Sequence, residues 1–421
     1  MKPANAARAG SRGWARRWLP AILLAAALPG PAAAQAWPQW RGPARDGHYA
    51  APALSTDWPG GGPAELWRRP AGEGFAGPVV AGGRLLLFHR VDGREVLEAL
   101  DAASGSPIWR HHAPTAYRDD FGFDEGPRAV PVVAGGRVFT FGAQGRLSAV
   151  SLETGAPLWA VDTAERFGVR KGFFGAAGSP VVEGGRVIAN VGGDGAGIVA
   201  LDAETGAVQW TATAHEASYS SGVAADIGGE RLAVFFTREG LVGLDPSNGA
   251  VRFEQRWRSR LGASVNAATP LVIGDLIFAS ASYGTGAAVF QAGGPQLTSL
   301  WSSDDVLSNH YATSVHHDGY LYGFHGRQEY GPSFRAVELR SGAVQWSEDR
   351  YMAGSVTLAG DRLVIVRESG ELVIAAAAPA AFTPLASAQI LPPVVRAYPA
   401  LAGGLLYVRN GDTLVCVDLR P

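Results

Sequence analysis

Four histidines crowd one segment of the sequence, SNHYATSVHHDGYLYGFHG (Ser308–Gly326). They are His310, His316, His317 and His325. Imidazole nitrogens bind transition metals and transfer protons near neutral pH, so these residues are candidates for either role. The apolar alternation predicts strands here, and adjacent histidines on a strand point to opposite sides. The pattern therefore favours a strand end beside an Asp-Gly turn and leaves His310, with the adjacent Tyr311, as the pair of chemical interest.

An acidic segment, YRDDFGFDEGPR (Tyr117–Arg128), is the second candidate. It carries Asp119, Asp120, Asp124 and Glu125, and carboxylate oxygens are the ligands that Ca²⁺ prefers. Their spacing matches neither an EF-hand nor a nonapeptide calcium repeat, so the sequence favours a solvated acidic loop.

Motifs for nucleophilic or phosphate chemistry are missing from the sequence. It contains no G-x-S-x-G, and HEASY (His215–Tyr219) lacks the second histidine of a zinc protease. GGDGAG (Gly192–Gly197) is not followed by a helical pattern, so it predicts a strand connection and not a phosphate-binding loop.

Five stretches repeat one pattern, in which a short apolar run leads to an acidic residue, a Ser/Thr/Asn-Gly turn and an aromatic residue. They are ALDAASGSPIW (Ala99–Trp109), VSLETGAPLW (Val150–Trp159), VALDAETGAVQW (Val199–Trp210), GLDPSNGAVRF (Gly243–Phe253) and AVELRSGAVQW (Ala336–Trp346). Such recurrence is the signature of a repeat architecture. The glycine is expected to supply a positive φ in a tight turn, and the aromatic ring to pack against the neighbouring repeat.

Each repeat splits into four short apolar runs separated by glycine-rich turns, which is the pattern of a β-propeller blade. Eight repeats can be counted from their first strands. These begin at Ala76, Arg128, Gly178, Ser221, Asn266, His310, Met352 and Val395. The eighth repeat ends at LVCVDLRP before any outer strand, whereas AELWRRP (Ala64–Pro70) has the outer-strand pattern. The sequence therefore predicts an all-β, eight-bladed β-propeller of four-stranded antiparallel blades, its ring closed by the N-terminal strand.

The repeated stretch resembles the signature of the pyrroloquinoline-quinone (PQQ)-like repeat propellers: Ala or Val, Leu-Asp, two residues, Thr/Ser-Gly, two or three residues, and Trp. This quinoprotein alcohol dehydrogenase-like superfamily also includes the propeller lipoprotein of the outer-membrane β-barrel assembly machine. The resemblance covers about residues 64–421. It implies a shared fold, and because one scaffold hosts enzymes and non-enzymes it does not choose between them.

For an active quinone dehydrogenase the resemblance implies adjacent cysteines over the quinone, a calcium site of Glu, Asn and Asp, and an Asp base. The only cysteine is Cys416, in the strand-like run TLVCVDL, where a small buried hydrophobe is expected. We therefore expect a binding or scaffold protein without a recognisable catalytic set, acting on a protein or small-molecule ligand. The alternative is a PQQ-dependent oxidoreductase, using PQQ with Ca²⁺ in an atypical site that lacks the vicinal cysteines.

The predicted binding site lies at one end of the propeller channel, which we call the mouth. There the loops leading into the innermost strands meet the loops between second and third strands. The predicted ligand-binding residues are Arg128, Phe174, Tyr219, Asn266, Tyr283, His310, Tyr311, Arg327, Arg396 and Tyr398. Arginines with aromatic rings suit a flat anionic ligand. The alternative is that Arg238–Glu239, Arg327–Glu329 and Arg367–Glu368 neutralise one another at the rim.

The first 36 residues have the pattern of a cleaved signal peptide. Basic residues up to Arg17 precede an apolar run, LPAILLAAAL (Leu19–Leu28), that is too short to span a bilayer, and PAAAQA offers small residues for cleavage. The sequence predicts a signal peptide over residues 1–36, an N-terminal extension over 37–63 and the propeller over 64–421. We expect a monomer in the periplasm or outside the cell, without a lipid anchor or transmembrane segment. The net charge of −2 offers no basic surface for nucleic acid.

Overall fold

Eight blades form the ring that the repeats predict, and each blade has four antiparallel strands ordered from the channel to the rim. The structure is a computed structural model, and it describes residues 36–50 and 53–421. Residues 1–35 of the predicted signal peptide lie outside the described residues. Within the described part, no helix is both long enough and apolar enough to cross a membrane.

Two strands precede the first blade, β1 (His48–Tyr49) and β2 (Ala64–Pro70). Blade 1 consists of β3 (Val79–Ala81), β4 (Arg84–Val91), β5 (Arg94–Asp101) and β6 (Pro107–Pro114). Blade 2 consists of β7 (Val132–Ala134), β8 (Arg137–Phe141), β9 (Arg146–Ser151) and β10 (Pro157–Asp162). Blade 3 consists of β11 (Val181–Glu183), β12 (Arg186–Gly193), β13 (Ala196–Asp202) and β14 (Val208–Ala212). Blade 4 consists of β15 (Val223–Ile227), β16 (Glu230–Phe236), β17 (Gly240–Leu244) and β18 (Val251–Arg256).

The second half of the ring repeats this order. Blade 5 consists of β19 (Leu271–Ile273), β20 (Leu276–Ala281), β21 (Gly286–Gln291) and β22 (Thr298–Ser303). Blade 6 consists of β23 (Val315–His317), β24 (Tyr320–His325), β25 (Ser333–Glu338) and β26 (Val344–Glu348). Blade 7 consists of β27 (Gly354–Ala359), β28 (Arg362–Arg367), β29 (Glu371–Ala376) and β30 (Pro384–Gln389). Blade 8 contributes β31 (Ala400–Ala402), β32 (Leu405–Arg409) and β33 (Thr413–Asp418).

Helices are short in the described residues. The α-helix α1 (Thr163–Phe167) begins after Asp162, whose carboxylate accepts hydrogen bonds from two backbone amides, and ends at Gly168 in the left-handed conformation. Two 3₁₀ turns cover Pro59–Gly61 and Gln328–Tyr330.

The ring is closed by its N-terminal strand, as the sequence predicts. Strand β2 pairs antiparallel with β33 and supplies the outer strand of blade 8, with Trp67 opposite Cys416. Cys416 is fully buried, and burial raises the pKa of its thiol to about 12, so it acts as a small core residue. Joining the two ends of the chain in one blade leaves no unpaired edge at the point of closure.

The core lies between successive blades. Val181 and Ile188 of blade 3, for example, pack against Phe235 and Val242 of blade 4. Because neighbouring blades cover both faces, an inner strand such as β13 is buried on both sides, whereas the outer strand β6 alternates between exposed and half-buried side chains.

The aromatic residue of the repeated stretch packs one blade against the next, which confirms the packing predicted from the sequence. The indole N–H of Trp159 in blade 2 donates to the Ala203 carbonyl in blade 3 at 3.1 Å. Its ring lies on Gly206, which has φ +73° in the turn before the outer strand of blade 3. Equivalent tryptophan–carbonyl bonds join other neighbouring blades, from Trp67, Trp109, Trp210, Trp301 and Trp346.

Gly206→Ala is therefore expected to destabilise the protein by about 2–4 kcal/mol. An added Cβ would lie 2.8 Å from Trp159 Cδ2, in addition to the strain of a left-handed non-glycine residue. The matched control is Gly185→Ala, because Gly185 has φ +75° and nothing within 4 Å of an added Cβ. Chemical denaturation of both variants checks this: equal losses of stability would show that the ring contact contributes nothing.

The N-terminal segment, residues 36–50, runs through the central channel and contacts every blade. Its backbone pairs with Val80 in blade 1, Val133 in blade 2 and Leu358 in blade 7. We call residues 37–49 the channel segment. Its side chains reach the other five blades at Pro180, Gly222, Thr269, Thr313 and Gly404.

Two buried arginines hold the channel segment. Arg45 donates to the Gly222 carbonyl at 2.8 Å and to the Pro180 carbonyl, and Arg41 donates to the Thr313 carbonyl at 3.0 Å. Burial lowers the pKa of Arg45 to about 9. The inner ends of the blades thus offer their carbonyl oxygens to these cations, and the channel is filled by protein along its axis.

Candidate functional site

A cavity of about 730 Å³ opens at the mouth, above the channel segment. Trp40 of that segment forms part of its floor, and the Trp40 and Tyr398 rings lie 4.5 Å apart. The Trp40 indole is fixed by donating to Thr269 Oγ1 at 2.9 Å. A cavity of this volume suits a ligand of small-molecule size.

One side of the cavity is apolar and is built by loops leading into blades 2, 3 and 5. Phe121, Phe123 and Leu261 are 57%, 62% and 58% exposed although they line a concave surface. Ring centroids 5.4 Å apart join Phe121 to Phe174, which in turn contacts Tyr219. Such a continuous apolar surface, left open to solvent, is typical of a binding site.

Asp119 positions the two most exposed rings of that side. Its carboxylate is fully buried and accepts hydrogen bonds from the backbone amides of Phe121 and Phe123 at 3.1 and 3.0 Å, and from Arg128 at 3.0 Å. The segment expected to be a solvated acidic loop is therefore folded around one of its carboxylates. The reason is that Asp119 satisfies the turn amides that present the phenylalanines.

The opposite side of the cavity is polar, and its first element is a hydrogen-bonded chain. The Tyr283 hydroxyl lies 2.7 Å from His310 Nε2, and His310 Nδ1 contacts Gln328 Oε1. Burial lowers the pKa of His310, so the imidazole is neutral at pH 7. Nδ1–H then donates to Gln328, and Nε2 accepts the Tyr283 proton.

The second polar element is a group of three side chains from blades 6, 7 and 8. Tyr311 donates to Glu368 Oε1 at 2.6 Å, and Arg396 Nε donates to the same oxygen at 2.8 Å. Burial next to the Glu368 carboxylate raises the pKa of Tyr311 well above its usual value, so its hydroxyl stays a donor. The group combines one cation and one anion and is neutral overall.

The three arginines of the mouth are each paired with a carboxylate. Arg128 pairs with Asp119, Arg327 with Glu329 at 2.9 Å, and Arg396 with Glu368. The expected pair Arg327–Glu329 is present. The other two expected pairs differ, because side chains adjacent in sequence point apart in these loops.

Arg238 and Arg367 illustrate this difference. Arg238 donates to Ser264 Oγ and to the Gly262 carbonyl, whereas Glu239 pairs with Arg258. Arg367 pairs with Glu371 across its hairpin at 2.6 Å.

Nine of the ten predicted site residues line the cavity; the exception is Asn266. Its side chain is buried below the surface, where the amide donates to the carbonyls of Thr237 and Trp257 at 2.8 and 3.2 Å. Asn266 thus fixes the loop between blades 4 and 5, while its neighbours Val265 and Ala267 face the cavity. The role of the nine residues in ligand binding remains a prediction.

Sequence reasoning did not select several residues that shape the cavity. They are Trp40, Phe121, Phe123, Leu261, Gln328 and Glu329. The FGF motif of the acidic segment could have indicated a binding surface, because phenylalanines in a polar loop are not expected to be part of a core. Trp40 carried no such signal, since its segment lies outside the repeats.

The remaining histidines lie away from the mouth. His316 faces a small pocket with His48 and Asp46, lined by the opposite ends of the inner strands, and accepts a hydrogen bond from the Gly319 amide. His325 Nδ1 accepts a hydrogen bond from the Ser308 amide. Within residues 36–50 and 53–421, no three His, Cys, Asp or Glu side chains are arranged to hold a metal ion.

Solved structures share this fold at low sequence identity. BamB from Moraxella catarrhalis is 16% identical, with a TM-score of 0.60 over 84% of this chain and 97% of that one. The quinohemoprotein alcohol dehydrogenase from Comamonas testosteroni is 15% identical, with a TM-score of 0.55 over 93% and 82%. The computationally designed Ika8 protein is 12% identical, with a TM-score of 0.59 over 84% and 98%.

These likenesses concern the fold alone, since the three structures are only 16%, 15% and 12% identical to this chain. None of the curated proteins matches the chain. At the level of sequence, the profile of the family described as outer membrane protein assembly factor BamB matches residues 93–348. The chain is a PQQ-like repeat β-propeller and belongs to this BamB family.

Proposed function

We propose that the protein is a non-enzymatic binding protein that takes a largely apolar ligand, or the apolar part of a larger partner, in its mouth cavity. The observation that carries this proposal is the exposure of Phe121, Phe123 and Leu261 along one wall of a 730 Å³ concavity. Covering these side chains is favourable by about 25 cal/mol per Å² of apolar surface removed from water.

The charges of the cavity favour a ligand without net charge. An anion would have to compete for Arg327 and Arg396 with Glu329 and Glu368, which already neutralise them and accept hydrogen bonds from them at 2.9 and 2.8 Å. Leaving a partly buried carboxylate without its cation is costly. The geometry therefore shifts the expected ligand from the flat anion of the sequence analysis to an uncharged molecule.

The anionic cofactor implied by the dehydrogenase relatives does not fit these residues. Pyrroloquinoline quinone would need unpaired cationic partners and oxygen ligands for Ca²⁺, whereas the arginines of the mouth are paired and no three His, Cys, Asp or Glu side chains of the described residues are grouped to hold a metal ion. Cys416, the only cysteine, is buried in blade 8. We therefore infer that the protein acts without this cofactor.

Titration with the neutral fluorescent probe N-phenyl-1-naphthylamine tests the proposal. We expect saturable binding at one site, and an affinity at least roughly tenfold lower in the Phe121→Ser, Phe123→Ser double variant, because two rings of contact are lost. The probe's affinity should hardly change between pH 7 and 8, since burial lowers the pKa of His310 and the imidazole is neutral in that range.

The matched control for that titration is the Ile108→Ser, Leu385→Ser double variant. These two side chains are about as apolar and nearly as exposed as the phenylalanines, at 45% and 44%, but lie on outer strands. Equal loss of affinity in both double variants would contradict a specific site at the mouth.

We also propose that the protein is exported and acts in the periplasm or outside the cell. The support is the sequence pattern of residues 1–36, with cleavage after Ala34 or Ala36. Cleavage after Ala36 would place the new N-terminus at Trp37, where the channel segment begins. Mass spectrometry of the exported protein checks this, and an intact N-terminus would contradict it.

A further inference from the structure

The two walls of the mouth cavity differ in chemistry. The wall from blades 2, 3 and 5 presents Phe121, Phe123, Phe174 and Leu261, and its charged side chain, Arg128, is paired with Asp119 at 3.0 Å. The wall from blades 5 to 8 presents hydroxyl, imidazole, amide, guanidinium and carboxylate groups. A ligand that fills the cavity therefore meets an apolar surface at one end and hydrogen-bonding groups at the other.

The polar wall has hydrogen-bond donors and acceptors that no group of the described residues uses. The His310 Nδ1–H donates a hydrogen bond to Gln328 Oε1. The Gln328 amide nitrogen has no hydrogen-bond acceptor among the described residues. The same wall carries a carboxylate: Arg327 donates to Glu329 Oε1 at 2.9 Å, and no side chain among the described residues donates to Glu329 Oε2. The wall thus offers an amide donor and a carboxylate acceptor, each fixed by its neighbours.

Hydroxyl groups match such a wall better than charged groups do. A hydroxyl both donates and accepts, so neighbouring hydroxyls of one molecule satisfy a fixed donor and a fixed acceptor together. A carboxylate or phosphate offers acceptors only, and would leave Glu329 facing a like charge. The neutral pairing of Arg396 with Glu368 at 2.8 Å therefore selects an uncharged polyhydroxyl group.

We propose that the mouth binds an amphipathic glycoside, with its sugar against Gln328, Glu329 and Arg396 and its apolar part against Phe121, Phe123 and Phe174. This inference rests on the proposed function and names the ligand class of the same cavity. The volume of about 730 Å³ accommodates a sugar ring together with a short apolar chain.

The probe for this inference is n-octyl β-D-glucoside, titrated by calorimetry below its critical micelle concentration. Sodium octyl sulfate has the same chain with an anionic head, and glucose is the head alone. We expect octyl glucoside to bind at least roughly tenfold more tightly than either comparison probe, because only it satisfies both walls. If octyl sulfate binds as tightly, the inference is overturned while the apolar site of the proposed function stands.

Two further outcomes separate the inference from the proposed function. If neither octyl compound binds and N-phenyl-1-naphthylamine also fails, both proposals fall. If glucose binds as tightly as octyl glucoside, the apolar wall contributes nothing and the amphipathic ligand is excluded. The first outcome concerns the whole cavity, and the second concerns its apolar wall.

A single substitution tests the polar wall. Gln328→Ala should weaken octyl glucoside roughly five- to tenfold, by removing a hydrogen-bond donor to the sugar, and should weaken N-phenyl-1-naphthylamine much less, because the contacts of that probe are mainly apolar. Gln345→Ala is the matched control, because Gln345 lies exposed on the outer strand of blade 6. An unchanged octyl glucoside affinity in Gln328→Ala would overturn the assignment of the sugar to this wall.

Discussion

Trp37→Ala is expected to lower the midpoint of thermal unfolding by about 5–10 °C, from a loss of about 3–5 kcal/mol. Trp37 is 3% exposed and packs with Val80, Leu85 and Leu401, so it joins blade 1 to blade 8 at the start of the channel segment. Its backbone also exchanges two hydrogen bonds with Val80, at 2.8 and 2.9 Å. Differential scanning fluorimetry measures the effect.

The control for Trp37→Ala is Leu385→Ala, which removes an apolar side chain from an exposed position on β30. Its midpoint should move by less than about 1 °C. If Trp37→Ala has the same midpoint of thermal unfolding as the wild type, the packing of residues 37–49 in the channel is contradicted. The channel segment would then have no part in holding the ring.

Glu95→Gln is expected to stabilise the protein by about 2–3 kcal/mol at pH 8. Glu95 is 2% exposed and accepts a hydrogen bond from the Ala143 amide of blade 2 at 2.7 Å. Burial raises the pKa of this carboxyl to about 7. The folded state therefore holds its proton more tightly than the unfolded chain, and stability falls as the pH rises from about 4.5 to 7.

Urea denaturation at several pH values checks the Glu95 prediction. The difference between Glu95→Gln and the wild type should be near zero at pH 4.5 and reach its full size above pH 7. Glu204→Gln is the control, because the Glu204 side chain is 73% exposed and its stability change should stay below about 0.5 kcal/mol at every pH. A pH-independent difference for Glu95→Gln would contradict the raised pKa.

The ring and its closure could be predicted from the sequence because their determinants are local and repeated. Five blades have an Asp or Glu and a glycine before the outer strand, and Trp67 marked the missing strand of blade 8. Turn chemistry and a large ring at constant spacing leave few other folds. The predicted site residues converged for the same reason, since corresponding loops of a propeller meet at one end.

The charge pattern of the site could not be predicted in the same way. Ion pairs in these loops join residues across a hairpin or between blades, as in Arg367–Glu371 and Arg396–Glu368, and sequence neighbours were poor guides to them. Asn266 was predicted to face the ligand but turns below the surface, because the carbonyls of Thr237 and Trp257 needed a donor there. Such choices depend on the assembled fold.

The channel segment was also beyond sequence reasoning. Residues 37–49 lie outside the repeats, and only the finished ring creates the eight inner strand ends that they contact. Arg41 and Arg45 are buried because blade carbonyls surround them. The segment also supplies Trp40 to the cavity floor, so stability and ligand binding share one structural element.

A crystal structure of the protein with n-octyl β-D-glucoside tests the central claim most directly. We predict one ordered molecule in the mouth, its sugar hydroxyls within hydrogen-bond distance of Gln328 and Glu329 and its chain against Phe121 and Phe174. An empty mouth at saturating ligand, or a molecule ordered only elsewhere on the ring, would contradict the claim that the mouth is the binding site.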